Sequence, residues 1–327
     1  MAAEPKSDHG LICAYALDGQ GGGKQIGWEE IREHKPDDGP IWVHLDRTSR
    51  EVREFILNHA PVDPGLFRIL MSDEVRPRVE CIGDRLLIAL RGVNFNEGSE
   101  LEDMVSIRVW IGKGLIVTLR RRPVRTAKFM REALEKGTGP RTEGEFLIQV
   151  IDGLLHSLSP VLDTVEDQVD DLEDKVLAGE VTECRGELAG IRRRAITLRR
   201  YLAPQRDAML RLMGQQLDWL SDADNSHLRE FVDRTIHNVE DLDAVRERAA
   251  VIHEEISTRL AERMNRTMYV LTIVATLLLP AGLIAGLMGM NVAVPGADDA
   301  WSFLWIVGMI AAIAGAELMV LRWMRLI

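Results

Sequence analysis

The side chains best suited to contact a cation lie in a short polar connection between two apolar segments near the C-terminus. Residues 291–300 form this connection and include Asn291, Asp298 and Asp299. The amide oxygen of Asn291 can accept a hydrogen bond from the water shell of a cation, and the two carboxylates would raise the local cation concentration. The alternative role of Asn291 is to cap the preceding helix, because asparagine tolerates the left-handed conformation found at helix ends.

Histidines are the second group of candidate metal ligands. His227, His237 and His253 precede the first apolar segment and have acidic neighbours, but no two of them have the four-residue spacing of a helical zinc site. The two apolar segments contain no histidine, so a cation crossing there would keep its water. We interpret the three histidines as solvated surface residues, with a low-affinity zinc sensor or a proton-linked group as the alternative.

The composition excludes several classes of function. The formal net charge of −11 argues against a nucleic-acid partner and favours cations. The sequence shows neither a phosphate-binding Gly-rich loop nor a catalytic triad, so we expect neither an enzyme nor a cofactor. The three cysteines have no ligand-type spacing and are expected to be reduced, buried thiols, namely Cys13, Cys81 and Cys184.

Two apolar segments set the organisation of the chain. Residues 268–290 contain no charged side chain, and residues 301–321 contain one. Each can cross about 30 Å of hydrocarbon at about 1.5 Å per residue, so both are predicted to be transmembrane helices. Arginines flank the pair on one side and the connection 291–300 holds none. This predicts an external loop, a cytoplasmic tail at 322–327, and both termini in the cytoplasm, as does the lack of a signal-peptide pattern at the N-terminus.

The chain before the first span divides into three regions by its apolar spacing. Residues 1–140 mix strand-like and helical runs, as in an α/β domain. Residues 141–225 repeat apolar side chains every three or four positions and predict a helical coiled-coil hairpin. Residues 226–267 continue this pattern without Pro or Gly, as a stalk helix that runs into the first span. Strands are predicted at residues 41–45, 85–93, 105–111 and 115–120, the last two as a hairpin.

The predicted fold class is therefore an α+β membrane protein with an N-terminal α/β domain, a long helical stalk and two C-terminal spans. Two helices cannot enclose an aqueous path by themselves. If the protein conducts ions, the pore must form on a symmetry axis between copies.

Four short motifs are spread along the chain. Gly289-Met290-Asn291 ends the first span, and three others stand in the preceding part: Arg76-Pro77-Arg78-Val79, Glu135-Lys136-Gly137-Thr138-Gly139-Pro140 and Tyr201-Leu202-Ala203-Pro204-Gln205-Arg206-Asp207. The first is similar to the Gly-Met-Asn signature of the CorA superfamily of metal ion transporters. The other three are similar to motifs of its ZntB-type zinc transporter branch. The resemblance covers nearly the whole chain.

The resemblance implies a cyclic homo-oligomer, with a pentamer favoured, in the inner or plasma membrane. It implies a selectivity filter of Gly289, Met290 and Asn291. It also implies a pore-lining face on the first span, and helical spacing puts on one such face Met268, Thr272, Ala275, Leu279, Gly282 and Gly286. The implied partners are further copies of the chain, the lipid bilayer and divalent cations. The cation, with zinc favoured, is the transported species and not a bound cofactor.

Two departures from the family pattern count against magnesium selectivity. Met288 stands where magnesium channels usually have tyrosine, and Val294-Pro295-Gly296 replaces a more acidic turn. A passive magnesium, cobalt or nickel channel is the alternative within the family. A membrane-tethered coiled-coil scaffold, in which Asn291 only caps a helix, is the alternative outside transport.

Glu317 is the one ionisable residue within either span. A lone carboxylate at the centre of a bilayer costs about 2.5 kcal/mol or more, so it must be paired, protonated or near the interface. Glu317 can reach toward the cytoplasmic head groups and pair with Arg322 or with an arginine near Arg263. Alternatively it can exchange protons, which would make cation flux depend on a pH gradient.

Overall fold

The computed structural model describes residues 9–58, 63–73, 76–100, 102–290 and 301–323. These residues form two compact units, Met1–His253 and Glu254–Ile327. Three of the predicted site residues lie outside the described residues, namely Asn291, Asp298 and Asp299, as does the connection that holds them.

A mixed sheet forms the centre of the first unit. Its strands are β1 (Leu11–Leu17), β2 (Gly23–Gln25), β3 (Ile41–Asp46), β4 (Arg78–Ile82), β5 (Arg85–Gly92), β6 (Val105–Gly112) and β7 (Leu115–Arg120). The strand order is β2-β1-β3-β7-β6-β5-β4. Strands β3 and β7 are parallel, and every other neighbouring pair is antiparallel.

The four predicted strands are confirmed as β3, β5, β6 and β7. The predicted hairpin is also confirmed, because β6 and β7 pair from Gly112 opposite Leu115 to Ile107 opposite Arg120. Gly114 closes its turn at a φ of 79°, in the left-handed region that glycine adopts without strain. The sheet has three strands that the sequence patterns did not predict, namely β1, β2 and β4.

Helices cover both faces of the sheet. Alternate residues of β3 point to opposite faces, so Val43 packs in one core and Trp42 in the other. The Val43 face packs against three short helices, α1 (Trp28–Glu33), α2 (Arg50–Asn58) and α3 (Pro64–Met71). The Trp42 face packs against α4 (Arg125–Glu135) and the first half of α5 (Glu143–Leu177). Strands buried on both faces are largely apolar, as β1 is throughout and β3 is except at His44 and Asp46.

Two long helices follow the sheet as a hairpin, and a third packs on them. Thr142 caps α5 by accepting a hydrogen bond from the Glu145 N–H, and α6 (Val181–Met213) returns alongside it. The heptad positions of α5 are buried from Leu147 to Val176, as the sequence predicts. All three cysteines are free thiols, and Cys13 and Cys184 are buried as predicted, whereas Cys81 is only half-buried.

Helix α7 (Asp222–Met288) has 67 residues, or about 100 Å at 1.5 Å per residue. Its buried stripe in the first unit includes Leu228, Val232, Thr235, Val239 and Leu242. The helix contains one proline, Pro280, inside its apolar segment. Helix α8 (Ser302–Trp323) is the other described helix of the second unit.

Three of the described helices are long and apolar enough to cross a membrane, namely α5, α7 and α8. They differ in burial: 56% of the most apolar 18-residue window of α5 is buried inside the first unit, and none of the corresponding windows of α7 and α8 is. The apolar window of α5 therefore already has a protein core to pack in, and among the described residues the apolar windows of α7 and α8 have none.

Candidate functional site

The predicted pore face lies on the apolar part of α7 and is open in the single chain. Met268 is 61% exposed and Leu279 is 71% exposed. The other positions on this face are exposed as well, namely Thr272, Ala275, Gly282 and Gly286. Among the described residues of the same chain, none buries any of the six.

A second face of the same segment is half-buried. It consists of Tyr269, Ile273, Leu277, Pro280, Ala281 and Ile284. On α8 the half-buried positions also recur every three or four residues, at Ile306, Ile310, Ile313, Ala314, Glu317 and Leu321. At about 100° of rotation per residue, the half-buried face of α7 is centred roughly 160° from the predicted pore face. The half-buried positions of α7 therefore lie on the side of the helix opposite the predicted pore face.

Glycines on the open face are not required by packing within the chain. A Cβ atom added at Gly282 or Gly286 would meet no atom within 4 Å. Their small size is needed only if something outside the chain approaches the helix closely, as in small-xxx-small helix contacts. The pair therefore leaves a smooth open surface on this face of α7.

The threonine hydroxyls on this segment are hydrogen-bonded within the helix. Thr272 Oγ1 donates to the Met268 carbonyl at 2.8 Å, and Thr276 Oγ1 donates to the Thr272 carbonyl at 2.8 Å. Each hydroxyl has used its one proton, so its oxygen can only accept further hydrogen bonds. An oxygen that accepts is suited to the water molecules around a cation.

The helical hydrogen-bond pattern of α7 changes at the first two residues of the predicted filter. The Gly289 N–H donates to the Ala285 carbonyl at 2.9 Å, and the Met290 N–H to the Leu287 carbonyl at 3.4 Å. The regular helix ends at Met288, whereas the sequence predicted its end at Met290. The shorter helix agrees with a chain that turns at Gly289, because glycine disfavours helix interiors. The filter role of Asn291 and the alternative, that it caps the helix, both stay predictions.

Glu317 and Tyr269 share an unusual property in the second unit. Glu317 Oε2 and Tyr269 Oη are buried atoms with no hydrogen-bond partner. The pairing of Glu317 with Arg322 or with an arginine near Arg263 stays a prediction. A buried polar oxygen without a partner is costly, which makes these two groups candidates for binding a proton or a water molecule.

The three candidate histidines are not brought together. They lie along α7 ten and sixteen residues apart, which is about 15 Å and 24 Å of helix. His237 lies 3.8 Å from Asp241 and 4.0 Å from Glu240, and His227 stacks on Phe231. Within the part of the chain that the structure describes, no group of three or more His, Cys, Asp or Glu side chains could hold a metal ion.

Charged contacts join the helical hairpin to the stalk. Arg199 of α6 forms a bidentate ion pair with Asp243 of α7. The Arg199 guanidinium lowers the pKa of the Asp243 carboxyl. Arg248 of α7 contacts Asp170 and Glu173 of α5. These pairs therefore tie both helices of the hairpin to α7, and within the hairpin Lys175 of α5 pairs with Glu187 of α6 at 2.9 Å.

The pKa of one acidic group on α5 is raised by its surroundings, whereas that of Asp243 is lowered. Partial burial raises the pKa of Glu166, and so does the negative charge of Asp241, Asp163 and Asp170. The hairpin and the stalk thus concentrate negative charge along one stretch of their surface. Spacing alone did not reveal this cluster because Asp241 comes from a different helix.

Comparison with known proteins agrees with these features. The family described as CorA-like Mg2+ transporter protein matches residues 37–323. The divalent cation transporter CmaX of Pseudomonas aeruginosa is 36% identical over 330 residues, covering 99% of both chains. The zinc transport protein ZntB of Yersinia enterocolitica is 36% identical over 294 residues, covering 89% of this chain and 88% of its own.

A solved structure shows the same fold. The full-length CmaX structure superimposes with a TM-score of 0.84 at 35% sequence identity, covering 98% of this chain and all of that one. The α/β unit followed by long helices is thus a CorA-like fold. The family consists of transporters, which confirms the expectation that the protein is not an enzyme and uses no enzymatic cofactor. By sequence and fold together, the chain belongs to the family of CorA-like Mg2+ transporter proteins.

Proposed function

We propose that the chain assembles into a cyclic homo-oligomer that carries a divalent cation, with zinc favoured, along a central axis through the inner or plasma membrane. The observation that supports a central axis is the arrangement of the two faces of α7. The half-buried face is shielded within the chain, while the opposite face leaves Met268, Leu279 and their neighbours exposed. A ring of copies would turn this open face toward the axis.

The number of copies follows the family resemblance, which favours five. Both apolar segments are proposed to cross the membrane, with residues 291–300 outside and both termini in the cytoplasm. Helix α5 is proposed not to cross, because its apolar side chains are already buried in the first unit.

The proposed filter is a ring of Gly289, Met290 and Asn291. A divalent cation in a low-dielectric pore needs oxygen or charged ligands in place of any water it loses. The described part of the span offers no charged ligand on the open face, so the cation keeps its water shell. The amide oxygens of the Asn291 ring would accept hydrogen bonds from that water, and ring diameter would set selectivity. Asp298 and Asp299, repeated around the axis, would raise the cation concentration at the entrance.

Deeper in the pore, a ring of Leu279 side chains would form a narrow apolar constriction, which can close by excluding water. Thr272 lies nearly two turns nearer the start of the span, and its hydroxyl oxygen can accept a hydrogen bond from the hydrated cation. The path thus alternates polar oxygens with an apolar gate. His227, His237 and His253 have no part in this path and are proposed to be solvated.

Glu317 has two possible roles in this scheme, a structural one and proton exchange. Its oxygen Oε2 is buried without a partner. A buried charge without a partner is costly, so this carboxyl needs either a partner, as in the structural role, or a proton that it exchanges during transport, as in the second role. Flux would then respond to a pH gradient.

The choice of cation is the second question. ZntB relatives are named for zinc transport, and CmaX is named for divalent cation transport in general. The CmaX relative matches the full length of the chain, which supports a wider divalent selectivity as the second candidate.

One experiment separates these possibilities. The purified protein is reconstituted in liposomes that contain a metal-sensitive dye, and uptake of zinc, magnesium, cobalt and nickel is measured singly and in competition, with and without a pH gradient. We expect zinc uptake above that of protein-free liposomes, with zinc outcompeting magnesium. Equal uptake of the four metals would support the wider selectivity. Absence of uptake for all four would reject transport and leave the membrane-tethered scaffold.

A further inference from the structure

A pocket of about 410 Å³ opens in the first unit, at the edge of the sheet where β3 and β7 begin. Its walls come from the segment after α1, the end of α2 and the turn between β6 and β7. Its floor is apolar and includes Ile41, Phe55 and Trp110. Trp110 and Ile41 are each 2% exposed, so the floor is part of the folded core. The volume lies in the range of small-molecule sites, roughly 300–1,000 Å³.

The rim of this pocket is cationic. Arg32, Arg85 and Lys113 line it together with His34, and among the described residues no acidic side chain lines it. None of the three cations forms an ion pair with any described residue. Arg32 also lies over the Trp28 ring at 5.9 Å. In a chain with a net charge of −11, three cations without an ion pair converge on one apolar floor. They predict an anionic ligand.

The shape of the pocket is fixed by the chain and does not depend on a ligand. A Cβ atom at Gly114 would lie 2.6 Å from Cα of Pro36, and one at Gly112 would lie 2.8 Å from Cγ of Arg85. Glycine at these two positions lets the turn pack against the segment after α1 and lets the Arg85 stem cross the strand. His34 Nε2 lies 3.1 Å from the Gly114 carbonyl, which joins the two walls.

One carboxylate lies close to the turn without lining the pocket. Glu143 accepts a hydrogen bond from the Gly114 N–H at 2.7 Å. That carboxylate therefore holds the backbone of the turn and leaves the ammonium group of Lys113 available. A preformed site of this kind loses little conformational entropy when it binds a ligand.

We propose that this pocket binds an organic phosphate. The phosphate group would contact Arg85 and Lys113, because a guanidinium and an ammonium group are the side chains that best bind phosphate oxygens. The planar or apolar part of the ligand would lie on the floor formed by Trp110 and Phe55. The rim repels divalent cations, so this site is distinct in its chemistry from the proposed cation path.

The test is isothermal titration calorimetry on the full-length protein in detergent, with AMP, ADP and ATP as probes and metals removed by a chelator. We expect saturable binding of at least one of them. The double variant Arg85→Gln/Lys113→Gln should bind that nucleotide at least about tenfold more weakly, which is about 1.4 kcal/mol. The matched control Lys136→Gln/Arg193→Gln removes two exposed cations outside the pocket and should bind as the parent does.

Two further probes test the two halves of the site. Inorganic phosphate should bind more weakly than the nucleotide because it lacks the part that contacts the floor, and adenosine should bind more weakly because it lacks the charge. Lys113→Gln alone serves if the double variant misfolds, since Lys113 is an exposed turn residue. The proposal is overturned by any of three results: no saturable binding of any nucleotide below roughly 1 mM, equal affinity of parent and pocket variants, or inorganic phosphate or adenosine binding as tightly as the nucleotide.

Discussion

At the scale of single residues, the side chains with unusual surroundings are buried polar ones. His44 is the clearest case in the first unit. Its Nδ1 lies 2.7 Å from Thr118 Oγ1, its Nε2 is buried without a hydrogen-bond partner, and Trp42 Nε1 donates to the same threonine oxygen. Burial lowers the pKa of His44 to about 3, and the positive charges of Arg120 and Arg131 contribute.

The first prediction is that His44 makes stability depend on pH. The pKa falls from 6.5 in the unfolded chain to about 3 in the folded one. Between these values the unfolded chain binds a proton and the folded chain does not. The stabilisation is therefore complete above pH 6.5 and is lost, at up to about 1.4 kcal/mol per pH unit, as the pH falls toward 3. Chemical denaturation followed by circular dichroism at several pH values measures this slope.

His44→Gln removes the titrating group but keeps polar atoms beside Thr118, so the slope should become shallower in this variant. His227→Gln is the control, because His227 is exposed on α7. A parent protein whose stability between pH 6.5 and 4 changes no more than that of His44→Gln would contradict the assignment.

The second prediction concerns Asn291. In Asn291→Ala the ring of amide oxygens is lost, so we expect cation flux to be abolished or to lose its selectivity while the oligomer still forms. Asn265→Ala is the control, since this exposed asparagine precedes the apolar segment of α7. Normal zinc flux in Asn291→Ala rejects the filter role, and a loss of assembly supports the helix cap.

The third prediction concerns Glu317. If this carboxyl exchanges protons, Glu317→Gln should transport the cation without responding to a pH gradient, because an amide keeps the shape of the acid but cannot titrate. Flux in proteoliposomes with and without the gradient measures this. A variant that keeps the full response of the parent would assign a structural role to Glu317.

At the scale of elements, the helices could be predicted more completely than the sheet. Strands β5, β6 and β7 have local patterns with a short turn between the last two. Three other strands lacked such a signal: β1 is a continuous apolar run, β2 has three residues, and β4 is a five-residue edge strand with a single buried residue. A buried run without alternation cannot be separated from a helix by its spacing.

The candidate site residues on a single helix could be predicted, but the contacts between residues of different elements could not. Helical spacing identified the face with Thr272 and Leu279, because all its members lie on one helix. Tyr269 was missed, since its buried hydroxyl is recognisable only once α8 is placed. The anionic-ligand pocket was missed for the same reason, because Arg32, Arg85 and Lys113 are far apart in sequence and meet only through the sheet.

The fourth prediction concerns helix packing. Gly282→Leu should fold as a single chain, because the added side chain begins in open space. It should weaken or prevent assembly, because it fills the surface that another copy approaches. Light scattering of the purified protein measures the oligomer. Gly315→Leu on α8 is the matched control: its site is equally open but lies on the other span, so assembly should persist. Unchanged assembly of Gly282→Leu would place the contact elsewhere.

At the scale of the whole molecule, the fifth prediction is the assembly itself. One chain has a mass of 36.7 kDa and supplies two proposed spans, too few to enclose water. We expect the protein in detergent to have a protein mass of five chains, and light scattering with a correction for bound detergent gives this value. A stable monomer or dimer that still transports zinc would contradict the proposal.

The proline inside α7 has a mechanical consequence for such an assembly. Proline has no N–H, so Pro280 cannot donate the hydrogen bond that the Thr276 carbonyl would otherwise accept. The helix therefore has one backbone hydrogen bond fewer at this turn. The portion from Ala281 to Met288 can tilt about this point as a rigid segment. Leu279 directly precedes Pro280, so a small tilt would widen or narrow the proposed ring of Leu279 side chains. The hinge and the gate would then be one structure.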